Sequence, residues 1–148
     1  MKIAALSDIH GNLFALDAVL ADIERRGADL IVNLGDILSG PLLPRETADR
    51  LMALQLPTLR GNHERQVLSM DPADMGASDR YAFDTITEAQ RDWIAALPPV
   101  LCLAQDVFLC HATPQMTSIA TSRILSAASF GPQRRSEYRS GRVAARHR

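Results

Sequence analysis

Four short polar segments, each placed at the end of an apolar, strand-like run, constrain this 148-residue chain more than any other feature. They are Asp8-Ile9-His10-Gly11-Asn12, Gly35-Asp36, Gly61-Asn62-His63-Glu64 and Cys110-His111-Ala112. Open α/β sheets collect their ligand sites at the carboxyl ends of strands, so four such segments predict one shared site. The donors are two carboxylates (Asp8 and Asp36), three imidazoles (His10, His63 and His111) and the amide oxygen of Asn62. Mixed nitrogen and oxygen donors converging from distant loops are the chemistry of divalent metal sites.

The elements between these segments alternate. Lys2 to Leu6 reads as a strand, and Asn12 can cap a helix whose apolar positions Leu13, Leu16, Val19, Leu20 and Ile23 keep helical spacing up to Gly27. Leu30 to Leu34 is apolar throughout, as a strand covered on both faces is. Pro44 opens a second helix with Leu51 and Leu54 on its apolar side. Thr58 to Arg60 reads as a short third strand, and Asn62 starts a helix running to about Leu68. A β-α-β-α-β order asks for a parallel sheet with right-handed crossovers. Asp71 to Ser78 reads as a loop, broken by Pro72 and Gly76. A helix from Thr87, its cap, to Ala96 turns Trp93 and Leu97 inward, and Pro98-Pro99 stops it. Val100 to Leu103 and Val107 to Cys110 form a strand pair across Ala104-Gln105-Asp106, and the second of them delivers His111.

Composition divides the chain. Apolar residues make up 47% of it, enough for a core of one domain, and no run approaches the roughly 18 apolar residues that span a membrane. The apolar start stops at Ser7-Asp8 without a small-residue cleavage site, so it reads as a strand and the protein as cytoplasmic. Cys102 and Cys110 are too few for a disulfide framework and read as reduced, buried thiols on neighbouring strands. Up to Met116 acidic residues dominate, 16 against 9 basic ones; from Thr117 onward seven arginines face Glu137 alone. The reading is therefore a domain over 1–114 and an Arg/Ser-rich, disordered tail over 115–148.

The same four segments resemble the pattern of the calcineurin-like metallophosphoesterases, and Ser7-Asp8-Ile9-His10-Gly11-Asn12 is most similar to the small bacterial and archaeal phosphodiesterase branch. The similarity runs from Met1 to about Pro114. The resemblance implies an α/β sandwich of β-sheet and flanking helices. It implies a dinuclear site of two divalent ions, manganese first, with iron, nickel or zinc as alternatives. Asp8, His10 and Asp36 would hold one ion and Asp36, Asn62 and His111 the other, with Asp36 as the bridge. His63 would lie beside the metals and give a hydrogen bond or proton to the substrate, a phosphate ester cleaved by metal-bound hydroxide. The family's final Gly-His-x-His segment is missing: His147 is the only histidine after His111. The expectation is thus a fold truncated on its second-sheet side, with reduced metal occupancy, and a frameshift or premature stop between Thr113 and Ser118 would account for the basic tail.

Blander roles stand beside these. A single Asp such as Asp8 at a strand end is often a helix cap, and His111 alone could be an ordinary strand-end residue. Glu64 reads as a brace for the turn, Arg60 and Arg65 as solvated or ion-paired rather than phosphate-binding, and Tyr81 and Trp93 as packing residues. Two other functions fit the same residues: a catalytically impaired remnant of a phosphoesterase, and a non-catalytic module whose basic tail contacts nucleic acid. The second is disfavoured by the scarcity of aromatics, Phe130 and Tyr138, in the tail. No membrane partner is expected.

Overall fold

The computed structural model describes residues 1–104 and 107–113. Gln105 and Asp106, in the expected hairpin turn, and the 115–148 segment lie outside the described residues. Two strands, β1 (Ile3–Leu6) and β2 (Leu30–Asn33), pair in parallel with Ile3 opposite Leu30 and Leu6 opposite Asn33. The helix between them, α1 (Leu13–Arg26), begins where the Asn12 side chain accepts the Ala15 N–H. It ends at Gly27, whose φ of 64° lets its N–H return to the Ile23 and Glu24 carbonyls. Leu16 is buried in the core, with Leu13, Leu20 and Ile23 packed against it. Val19 departs from expectation at 44% exposed, because it lines an open cleft between α1 and β1 instead of a covered face.

After β2, Ile37 and Leu38 plunge into the core, at 0% and 1% exposed, so the segment carrying Asp36 is an anchored loop. Helix α2 (Pro44–Leu54) packs against α1 and buries Ala48 and Leu51. Instead of the expected third strand, Thr58 makes a single parallel bridge to Asn33, with the Leu59 N–H on the Asn33 carbonyl. The Arg60 N–H turns to the Pro98 carbonyl, which takes that backbone off the β2 edge.

Three helices follow: α3 (Asn62–Ser69), α4 (Ala77–Thr85) and α5 (Glu88–Ala96). The start of α4 overlaps the segment read as loop. Gly76 is its N-cap, and Asp79, Ala82 and Ile86, spaced three and four apart, are the buried face that the chain's breakers obscured. Thr87 caps α5 as expected, exchanging hydrogen bonds with Gln90, and Ile94 enters the core with Trp93 and Leu97 packed beside it. Strands β3 (Val100–Ala104) and β4 (Val107–Cys110) form an antiparallel pair with a register shift between Cys102 and Ala104. The two cysteines are free and on neighbouring strands, but not buried: Cys110 is half-buried, and Cys102 is exposed opposite an equally exposed Phe108. That face of the hairpin is uncovered among the described residues. No helix among them is long and apolar enough to cross a membrane.

Candidate metal centre

The site is built from strand ends that the backbone bends inward. Of the four non-glycine residues with positive φ among the described residues, three are Asp8 (56°), His10 (50°) and Asp36 (56°). Left-handed backbone at such residues is strained and persists where surrounding contacts over-determine it, as at ligand sites. Here the contacts are visible. The Asp8 N–H donates to the Gly35 carbonyl, the His10 N–H to the Asp36 carbonyl and the Gly11 N–H to the Ile37 carbonyl, lacing the β1 exit to the β2 exit.

Close approach completes the junction. A Cβ at Gly61 would collide with the Asp36 carboxylate, one at Gly35 would fall 2.5 Å from the Gly61 nitrogen, and one at Gly40 would run into the His10 carbonyl. Glycine is required at these points because backbone and carboxylate fill the space that a side chain needs.

Glu64 clamps this arrangement from α3. Buried at 1% exposure, its carboxylate accepts the N–H groups of Asp36 (2.9 Å), Ile37 (2.7 Å) and Gly61 (2.9 Å). Burial pushes its pKa above the ordinary glutamate range against the pull of those backbone donors. The expected turn-bracing role is what the geometry shows, extended to the Asp36 loop as well.

The donors then converge. Asp36 lies 3.1 Å from His111 Nε2 through Oδ2, and its Oδ1 accepts the His63 N–H at 3.0 Å. His10 Nε2 lies 3.7 Å from Asp8 Oδ1, and the His10 and His63 rings meet edge to face at 5.2 Å. Two groups each bring three potential ligand atoms within 4.8 Å of one another: His10, Asp36 and His63, and Asp8, Asp36 and His111. Asp36 is common to both, as a bridging carboxylate must be. The groups pair His10 with His63 and Asp8 with His111, which is a different distribution from the one the resemblance implies. Asn62 opens α3, exposed, between Gly61 and His63, both of which touch Asp36.

Each imidazole is held through its other nitrogen. His10 Nδ1 sits 2.6 Å from the Ser39 carbonyl, His111 Nδ1 2.9 Å from the Leu34 carbonyl, and His63 Nδ1 2.7 Å from Asp79 Oδ1. Histidines that bind metals almost always donate their second N–H to a carbonyl or carboxylate. The residues present therefore fit divalent cations, both in donor type and in how the rings are anchored. At His63, burial works against the charged ring, but the Asp79 hydrogen bond and the negative charges of Asp36, Asp79 and Glu64 outweigh it and raise its pKa. Asp79 is the site residue that sequence reading missed. Its only signal was its place on the buried face of α4.

An α/β fold with carboxylates and imidazoles gathered at strand ends around a shared aspartate defines a metallohydrolase-like class of site. Within that class, the chain belongs to the calcineurin-like phosphoesterase family, whose sequence model matches residues 1–138. An uncharacterised protein of Methanocaldococcus jannaschii, MJ0912, is 43% identical over 72 residues, which are 49% of this chain and 30% of that protein. Among solved structures, a metallophosphoesterase from Sphaerobacter thermophilus is 26% identical with a TM-score of 0.57, over 69% of this chain and 43% of that one. A hypothetical protein, PH1004, from Pyrococcus horikoshii shares the fold at 23% identity and a TM-score of 0.60, over 68% of this chain and 49% of that one. The chain spans less than half the length of each of these proteins.

Proposed function

We propose that this chain carries the metal-binding part of a phosphoesterase, a phosphodiesterase or phosphatase on the family's sandwich fold, that hydrolyses a phosphate ester. The observation that carries the reading is the triple anchoring of His10, His63 and His111 through Nδ1 around the shared Asp36. Asp8, His10, Asp36, Asn62 and His111 would hold two divalent ions, with manganese the first candidate. Such ions, when bound, neutralise phosphoryl oxygens and lower the pKa of water so that it can attack at neutral pH.

The chain's own residues do the rest. The Asp36 loop is held rigid by Glu64, which fixes the shared carboxylate before any ligand arrives. His63, whose pKa the Asp79 contact and the nearby carboxylates raise, is suited to give a proton to the leaving oxygen. An open cleft lined by Ser7, Ile9 and Asn12 among others adjoins Asp8 at the edge of the site.

The test is manganese-supplemented hydrolysis of bis-p-nitrophenyl phosphate by the full 148-residue chain, with Asp36→Ala and His63→Ala alongside. Activity should vanish in Asp36→Ala. In His63→Ala turnover should fall about 10²–10⁴-fold, the range of general acid catalysis, while manganese content holds. Manganese lost with His63→Ala would make His63 a ligand instead, and equal rates in the parent and Asp36→Ala would refute the enzymatic reading.

A further inference from the structure

We infer that Tyr81 and Leu42 form an aromatic subsite at the rim of the metal centre, where the planar organic group of the phosphate ester binds. The inference rests on the phosphoesterase reading and names the substrate class of that same site: esters of aromatic rather than small aliphatic alcohols. Tyr81 departs from the packing role its residue type suggested. It is 44% exposed on α4, whereas Trp93 packs against the core as expected. Leu42, in the loop before α2, is 41% exposed. One exposed apolar side chain carries no message. Here two meet, because the Tyr81 hydroxyl donates to the Leu42 carbonyl at 3.4 Å.

Both residues are tied to the histidines of the centre by short routes. On one side, Asp79 stands two residues before Tyr81 on α4 and contacts His63 Nδ1. On the other, the Leu42 loop is laced to the His10 turn. The Ser39 carbonyl lies 2.6 Å from His10 Nδ1, Gly40 abuts the His10 carbonyl, and the Leu43 N–H donates to the Gly11 carbonyl. The His10 and His63 rings meet at 5.2 Å. These contacts form a closed circuit from His63 through α4, Tyr81, Leu42 and the loop to His10, which confines the Tyr81–Leu42 pair to the His10–His63 side of the centre. Both histidines are half-buried, so that side is open next to the pair. The phosphoryl group belongs with the polar donors around Asp36, and the organic group of the ester must leave that cluster. On this side it meets a tyrosine ring, tethered through its hydroxyl, and a leucine side chain. A flat ring stacks on such a surface, whereas a short alkyl group offers too little area to cover it.

The test is calorimetric titration of the manganese-loaded, full-length chain with phenylphosphonate and with methylphosphonate. The two carry the same anionic group and differ in the organic one, and their P–C bond keeps binding separate from turnover. The parent should bind phenylphosphonate about 10-fold more tightly than methylphosphonate. Tyr81→Ala and Leu42→Ala should each erase most of that preference, with methylphosphonate affinity and manganese content as in the parent. Tyr81→Phe should keep most of it, because the ring face makes the contact. A preference unchanged in Tyr81→Ala would overturn the inference. So would an equal loss of both ligands, which would make Tyr81 a support for the centre's shape. A parent that prefers phenylphosphonate yet hydrolyses no phosphate ester would defeat the phosphoesterase reading and leave the subsite standing. A parent without the preference would defeat the subsite, whatever its activity.

Discussion

At the scale of single residues, the centre is a problem of space before it is one of chemistry. The Asp36 carboxylate stands where a Gly61 side chain would be, so Gly61→Ala must displace the shared ligand. We expect that substitution to weaken manganese binding about 10–100-fold, by calorimetric titration, with the secondary structure intact. Glu64 poses the opposite problem. Removing its carboxylate in Glu64→Ala strands the buried N–H groups of Asp36, Ile37 and Gly61, each of which then lacks a partner. The loss should reach about 3 kcal/mol or more in urea unfolding, and a change within experimental error would show that water satisfies those donors. The motif residues were legible because they cluster in four short stretches with unusual donor types. The carbonyls of Ser39 and Leu34 that anchor His10 and His111 were not, because a backbone acceptor leaves no mark on residue identity.

Elements with a clear period and a cap could be read from sequence, and those without could not. α1 and α5 were foreseeable from Asn12, Gly27 and Thr87, each of which makes the cap its residue type favours. α4 was hidden because Gly76, a breaker in sequence, is here the residue that starts the helix. The missing third strand has a different cause: a three-residue run cannot hold a ladder when Arg60 turns its N–H to Pro98. Surface charge also acts at this scale. On α1, the Arg26 hydrogen bond, helped by the charges of Arg26 and Arg25, holds the Asp22 carboxyl below its ordinary pKa. A depressed folded-state pKa gives stability that is present above the unfolded value and lost as pH falls through the folded one. Asp22→Asn should therefore lower the neutral-pH midpoint slightly and leave stability below the folded-state pKa nearly unchanged, which flattens the acid limb. A parent and variant with identical acid limbs would show that the pair is screened by solvent.

For the molecule as a whole, the site depends on packing between elements distant in sequence. His111 from the end of β4 reaches Asp36 from the end of β2, and Asp79 from α4 reaches His63 from α3. The described residues bring these groups together within one core that includes Leu16, Leu51, Val67 and Ile94. The chain covers 30% of its archaeal relative and 43% of the Sphaerobacter enzyme, so the activity proposed here is that of the site this chain contains. The central claim is that Asp36 is shared by two cation positions. Manganese binding to the full 148-residue chain, followed by electron paramagnetic resonance in the parent and in Asp36→Ala, tests it most directly. The parent should retain manganese on repeated dilution and Asp36→Ala should retain none at either position. Equal retention by the two proteins would contradict the account.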